Sequence, residues 1–208
     1  MSDPSPLIHI VDDDAAYRTA VARLLEASGY RVALYASAAQ LLDASPPAEL
    51  GCILLDINME GLSGLELQER LADAGNRLPI VFLTGHADVP SSVRAIKAGA
   101  EDFLTKPAPK EVLLAAVQRA LARYRAVAEN DEKLAALRAL LAKLTVRERE
   151  VFELVVRGKL NKQIAHQLGT SERTIKAHRH SIVNKLQMQS VAELVLFAER
   201  VGILEETR

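Results

Sequence analysis

Five residues in the first half of this sequence have side chains suited to phosphorus chemistry, and each stands at the end of a short apolar run. Leu7-Ile8-His9-Ile10-Val11 stops at Asp12-Asp13-Asp14, Ile53-Leu54-Leu55 stops at Asp56, the run from Pro79 stops at Thr84, and Asp102–Thr105 runs into Lys106-Pro107. Three carboxylates drawn together do not all stay ionised without a cation, and all-oxygen ligation with few protein ligands suits Mg²⁺. A carboxylate is also a nucleophile toward phosphorus, giving an aspartyl phosphate. A lysine and a threonine hydroxyl beside it would meet the new phosphoryl oxygens. Taken singly, each residue has a plainer reading, since strand-end acids often cap the following helix. The chemistry needs Asp12, Asp13, Asp56, Thr84 and Lys106 in one place.

A second set of residues suits a polyanion. Arg157–Lys185 holds seven basic residues against one acid, with His166, His178 and His180 besides. A basic stripe of this kind fits nucleic-acid phosphates. The net charge of −1 over 208 residues conceals the split: residues 1–125 carry −4 and residues 126–208 carry +3. The asymmetry implies two domains.

The elements that must position the first set alternate between strand and helix. Apolar runs bounded by turn signals read as strands near Leu7–Val11, Val32–Tyr35, Ile53–Asp56, Pro79–Thr84 and Asp102–Thr105. Helical spacing (Tyr17, Val21, Leu24, Leu25) closes at Gly29, and further helices fall near Ala39–Leu42, Leu65–Ala74 and Ser91–Ala98, with a Pro46-Pro47 loop before the third strand. Such alternation implies βαβ units and a parallel sheet, here an α/β, flavodoxin-like doubly wound domain of five strands. In a parallel sheet every strand's carboxyl end lies on one edge, where open α/β folds bind ligands. All five candidates therefore converge. The Lys106-Pro107 bond is expected to be cis.

Beyond residue 108 the last helix continues. Val117, Leu121, Tyr124 and Ala128 form one stripe and Leu134, Leu137, Leu141 and Leu144 a second, out of phase across Asn130-Asp131. The change implies a long linker helix with a weak point there, or two helices meeting; its leucines either make a coiled-coil contact between two chains or, on a single solvated helix, cover the second domain. Thr145-Val146-Arg147-Glu148 and Ser190-Val191-Ala192-Glu193 are capping boxes; Asn161 and Ser171 are candidate caps of the helices between them. The joint Leu168-Gly169-Thr170-Ser171 fits a helix-turn-helix. In its second helix Ile175, His178, Ile182 and Leu186 share one side, and Arg173, Lys176, Ala177, His180 and Asn184 lie opposite. That outer face lacks carboxylates and has a small central residue, which suits a major groove, with Arg173 or Lys176 reaching guanine edges. Lys159, Lys162 and Arg179 are placed for phosphates. A solvated face is the plainer alternative.

Composition sets outer bounds. Apolar residues make up 49% without a run of membrane-spanning length, and MSDPSPL lacks the parts of a signal peptide, so a cytoplasmic protein without membrane contact is expected. Cys52 is the only cysteine and lies inside an apolar run, which excludes a disulfide framework.

Over residues 5–125 the chain resembles the receiver domain of two-component response regulators. That resemblance implies Asp56 as phosphoacceptor, Mg²⁺ bound by Asp13, Asp56 and the Asn58 carbonyl with Asp12 acting through water, and Thr84 with Phe103 as a switch pair. Without it, Phe103 reads as core. It also implies that Asn58 and His86 set the phosphate's lifetime, and that Gly85 leaves room for a phosphodonor. Two positions depart from the family pattern: Met59-Glu60-Gly61 stands where Met-Pro-Gly is usual, and Ala108 where an aromatic residue usually follows Lys-Pro. LTVREREVFELVVRGKLNKQIAHQLGTSERTIKAHRHSIVNKL is similar to LuxR-type output domains, and the whole order resembles the FixJ-like branch. The implied architecture is a receiver at 1–123, a linker helix at 124–143 and a four-helix helix-turn-helix domain at 144–208. The implied function is a non-enzymatic transcriptional regulator, phosphorylated by a cognate sensor histidine kinase, dimeric when phosphorylated, and acting on double-stranded promoter DNA with RNA polymerase. Two rivals are a regulator with a vestigial receiver and an Mg²⁺-dependent phosphatase with an aspartyl intermediate. The phosphatase needs an acid where Asn58 stands.

Overall fold

The computed structural model describes residues 5–44, 49–85 and 88–204, which form two compact units, Met1–Ala128 and Glu129–Arg208. The Pro46-Pro47 loop lies outside the described residues. The first unit is a parallel sheet of β1 (Leu7–Val11), β2 (Arg31–Tyr35), β3 (Gly51–Asp56), β4 (Ile80–Thr84) and β5 (Asp102–Thr105), in the order β2-β1-β3-β4-β5. Between the strands run α1 (Ala15–Ala27), α2 (Ala38–Ala44), α3 (Gly64–Asp73) and α4 (Val89–Lys97). Every residue of central β3 is buried. Its side chains alternate, so Cys52 and Leu54 enter one apolar cluster with Val21, Leu25 and Val117, while Ile53 and Leu55 enter the opposite one with Leu41, Leu67 and Phe82. Both faces of the sheet are therefore sealed, and chemistry is left to its edge.

Two local features aim that edge. Gly64 opens α3 so close to the third strand that a Cβ there would stand 2.2 Å from the Asp56 carbonyl oxygen, and its N–H donates to Ile57 O at 2.9 Å. Only glycine permits this approach, which folds the turn after Asp56 tightly over the strand end. Helix α4 starts two residues before the spacing implies, because Asp88 Oδ1 accepts from Ser91 N–H at 2.8 Å and Pro90 fits the first turn. The Lys106-Pro107 bond is cis.

Helix α5 spans Lys110–Leu141 without interruption. Of the two expectations at Asn130-Asp131, the long helix holds and two meeting helices do not: no glycine or proline falls there, and Glu129 pairs with Lys133 at 3.9 Å across it. The phase change lies in the side chains alone. Val117 and Leu121 pack in the first unit, whereas Leu137, Leu140, Leu141 and Leu144 pack in the second.

The second unit adds α6 (Val146–Val156), α7 (Asn161–Gln167), α8 (Glu172–Leu186) and α9 (Val191–Arg200). Thr145 and Glu148 form the expected capping box, and Ser171 Oγ accepts from Thr174 N–H at 3.1 Å. Asn161 does not cap α7. It is the first helical residue, Leu160 takes the cap position, and Asn161 Oδ1 instead accepts from Arg179 at 2.9 Å. Ser190 caps α9, but the Glu193 carboxylate accepts from Gln189 N–H at 2.8 Å rather than closing the box. Phe152 and Phe197 meet edge to face at 5.9 Å in the core of this unit.

Candidate functional site

The five strand-end residues lie along the carboxyl edge of the sheet. Lys106 Nζ stands 2.6 Å from Asp12 Oδ2 and 2.7 Å from Asp56 Oδ2. Asp12, Asp13 and Asp56 each offer an oxygen within 4.8 Å of the others. Asp12 and Asp56 are buried, while Asp13 is exposed and keeps the cluster open to solvent. Burial pushes the Asp12 carboxyl up, and Lys106 pulls it only part of the way back. Burial alone would lower the Lys106 ammonium, but Asp12 and Asp56 outweigh it and hold the group above its ordinary value. One ammonium pairs with two of the three acids. That surplus of oxygen charge is a donor set that fits Mg²⁺.

The surrounding main chain tightens the arrangement. Asp12 Oδ1 accepts from Asp14 N–H at 3.0 Å and Asp56 Oδ1 from Asn58 N–H at 3.2 Å, while Arg18 donates to the Asp12 carbonyl. Glu60, at one of the two unusual positions, gives its N–H to Asp13 Oδ2 at 3.2 Å. The third acid of the run, Asp14, is a helix cap. Tyr17 N–H and Ala16 N–H bond to it and hold its carboxyl below the usual range.

Thr84 is buried and reaches the cluster through Asn58, whose Nδ2 donates to its Oγ1 at 3.4 Å. Phe103 is half-buried and packs against Phe82 with ring centroids 6.3 Å apart. His86 lies outside the described residues.

In the second unit Ile175, Ile182 and Leu186 of α8 are buried and His178 is half-buried, while Arg173, Lys176, Ala177, His180 and Asn184 are exposed. Lys159 and Lys162 line a shallow basin with Gln163, His166 and Gln167. Arg179 is half-buried, and its bond to Asn161 ties α8 to α7. A buried acid fixes the same helix from the other side. Glu148 accepts from Thr145 N–H at 2.8 Å, Ser181 Oγ at 2.6 Å and Lys185 Nζ at 2.6 Å.

Comparison with known proteins is decisive for both units. Residues 8–118 match the family described as "Response regulator receiver domain", and residues 142–198 match "Bacterial regulatory proteins, luxR family". The chain belongs to the response regulators with a luxR-type output domain. Response regulator protein TmoT of Ectopseudomonas mendocina is 42% identical over 97% of this chain and 91% of its own length. Transcriptional regulatory protein FixJ of Azorhizobium caulinodans is 41% identical over 94% of this chain and 93% of its own. The solved structure of response regulator StyR superposes with a TM-score of 0.82 at 41% identity, covering 95% of this chain and all of that one.

This response regulator is thus a two-component transcriptional regulator. Its acidic cluster lies in the receiver, and its exposed basic helix lies in the DNA-binding unit. Sequence reasoning overlooked Arg18, Gly64 and the tie from Glu148 to α8. Serine and lysine four residues apart at 181 and 185 were the available signal for the last. Among the described residues no helix is long and apolar enough to cross a membrane.

Proposed function

We propose that Asp56 accepts a phosphoryl group from a cognate sensor histidine kinase and that this event controls promoter binding by α8. The observation that carries the reading is Lys106, whose ammonium touches Asp12 and Asp56 at the open edge of the sheet. An Asp56 oxygen attacks phosphorus as the phosphorus–nitrogen bond to the donor imidazole breaks, and the electron pair leaves on that ring. Lys106 is already in place for the charge that develops on the phosphoryl oxygens, so little reorganisation is needed. Asp13, Asp56 and the Asn58 carbonyl would hold Mg²⁺, with Asp12 acting through water; when bound, the ion supplies positive charge that neutralises the acids and the phosphoryl oxygens. Thr84 then turns its hydroxyl from Asn58 toward the new group, and Phe103 follows it inward. Asn58 and His86 govern how long the phosphate lasts. Because Asn58 is no acid, the chain is an acceptor rather than a phosphatase that turns over.

In the output unit, Arg173, Lys176, Ala177, His180 and Asn184 face the major groove of double-stranded promoter DNA. Lys159, Lys162 and Arg179 meet its phosphates. Residues 1–123 would act as receiver, 124–143 as linker and 144–208 as output domain. Phosphorylated chains would pair as a homodimer on two half-sites and engage RNA polymerase in the cytoplasm.

One experiment tests both halves. Asp56→Asn abolishes labelling by acetyl phosphate with Mg²⁺, and Lys176→Ala loses binding to a promoter fragment while labelling persists. Labelling that survives Asp56→Asn overturns the acceptor assignment. Promoter binding that is the same with and without acetyl phosphate overturns the control.

A further inference from the structure

Lys106 has a third neighbour that the acid cluster does not account for. Its ammonium lies 4.7 Å from the centroid of the Tyr17 ring on α1, while also meeting Asp12 and Asp56 at 2.6 and 2.7 Å. Tyr17 and Ala108 both pack against one apolar cluster of the receiver. Tyr17 thus faces the ammonium with its ring and shares an apolar cluster with the loop that carries it. Its own N–H bonds to Asp14 at 3.0 Å, which fixes the turn of α1 that carries it.

We propose that Tyr17 is a positioning residue for phosphoryl transfer: its ring holds the Lys106 ammonium beside Asp56. The role rests on the assignment of Asp56 as acceptor and deepens it. Lysine is a point charge on a flexible four-carbon stem, so its place has to be imposed from outside. Of its three contacts, the one to Asp56 is altered by the reaction, because that carboxylate becomes an acyl phosphate and its charge moves to the phosphoryl oxygens. The aromatic face is neutral and takes no part in bond making. It keeps hold of the ammonium while the anion in front of it changes, through attraction to the ring quadrupole.

The test uses the full-length chain with acetyl phosphate and Mg²⁺, following label on Asp56 over time, with folding checked by circular dichroism. Tyr17→Leu slows labelling about threefold to tenfold, the size of one partly desolvated cation–π contact. Tyr17→Phe keeps the ring and stays within about twofold of the parent. In a Lys106→Met background the added Tyr17→Leu change slows labelling no further, because the partner through which it acts is gone. Nuclear magnetic resonance gives a second readout: ring current shifts the Lys106 Cε protons upfield in the parent and in Tyr17→Phe, and Tyr17→Leu returns them to ordinary values. A folded Tyr17→Leu protein labelled at the parent rate overturns the proposal. So does equal slowing with and without Lys106, which means packing alone. If Lys106→Met takes too little label to follow, the resonance decides, and unshifted Lys106 protons in the parent overturn the contact. A parent chain that takes no label overturns the Asp56 assignment, an outcome distinct from failure of Tyr17, which is judged only against a labelled parent.

Discussion

Each unit of this chain contains a buried acid bound to a lysine, and the two are finished to different degrees. In the output unit Glu148 is 5% exposed and alone. Burial would raise its carboxyl, but Lys185, Ser181 and Thr145 outweigh that and push it down to about 2. In the receiver, one ammonium pairs with Asp12 and Asp56 beside a third acid, Asp13, and Asp12 remains raised. The first cluster has every acceptor served and needs nothing more. The second is short of positive charge and lies open at Asp13. A completed network fixes helices, whereas an incomplete one leaves oxygen charge that a cation can neutralise. Both contain the same residue types, so their balance of charge, rather than their chemistry, separates scaffold from site.

The largest effect is expected where the completed cluster is opened. Glu148→Ala removes the group that joins the N-terminus of α6 to α8, leaving the Ser181 hydroxyl and the Lys185 ammonium without their acceptor. Lys185 is 34% exposed along its side chain and can rehydrate in part, so the cost should be about 2–3 kcal/mol rather than that of a fully buried pair. Thermal unfolding of the output unit measures it, and promoter binding should fall with it while Asp56 labelling is unchanged. Loss of labelling would mean that the two clusters are not independent.

Opening the receiver cluster has a smaller effect of opposite sense. Lys106→Met leaves Asp12 and Asp56 without their counter-ion, so the site should bind Mg²⁺ about tenfold more tightly than the parent even as phosphoryl transfer slows. Titrating Mg²⁺ against the thermal midpoint of the receiver checks this. An equal response in both proteins would mean that the ammonium and the cation do not compete for the same oxygens.

What was legible in the sequence follows the same division. The five strand-end residues could be placed because a parallel sheet turns position along the chain into position along an edge, and apolar runs mark where strands end. Cys52, Leu54, Ile53 and Leu55 had to be buried for the same reason. Tyr17 read as one apolar position of an amphipathic helix, since nothing in its spacing shows that a lysine 89 residues later lies over its ring. Gly64 went unremarked, because its need comes from the Asp56 carbonyl, a contact made only on folding. Asn161 has the side chain of a helix cap, but Arg179 of the next helix takes its oxygen and the helix begins there. The change of apolar phase at Asn130-Asp131 was visible, and of its two readings the long helix holds and two meeting helices do not, because side-chain stripes can shift over an unbroken backbone.

The smallest change probes how completely Glu148 is satisfied. Ser181→Ala removes one of its donors, at 2.6 Å, and leaves Lys185 and the Thr145 N–H. One hydrogen bond to a buried carboxylate should be worth about 1–1.5 kcal/mol. The pH dependence gives the sign. A folded-state carboxyl pushed from its ordinary 4.5 down to about 2 contributes stability that is fully present above 4.5 and is lost as pH falls through about 2. With one donor gone the folded value rises, so the variant starts from less stability at neutral pH and loses the remainder over a narrower, higher range. The parent and Ser181→Ala stability curves should therefore lie apart above pH 4.5 and converge toward pH 2. Curves that stay parallel down to that pH would mean that Ser181 stabilises the helix by packing, and that Glu148 is already complete without it.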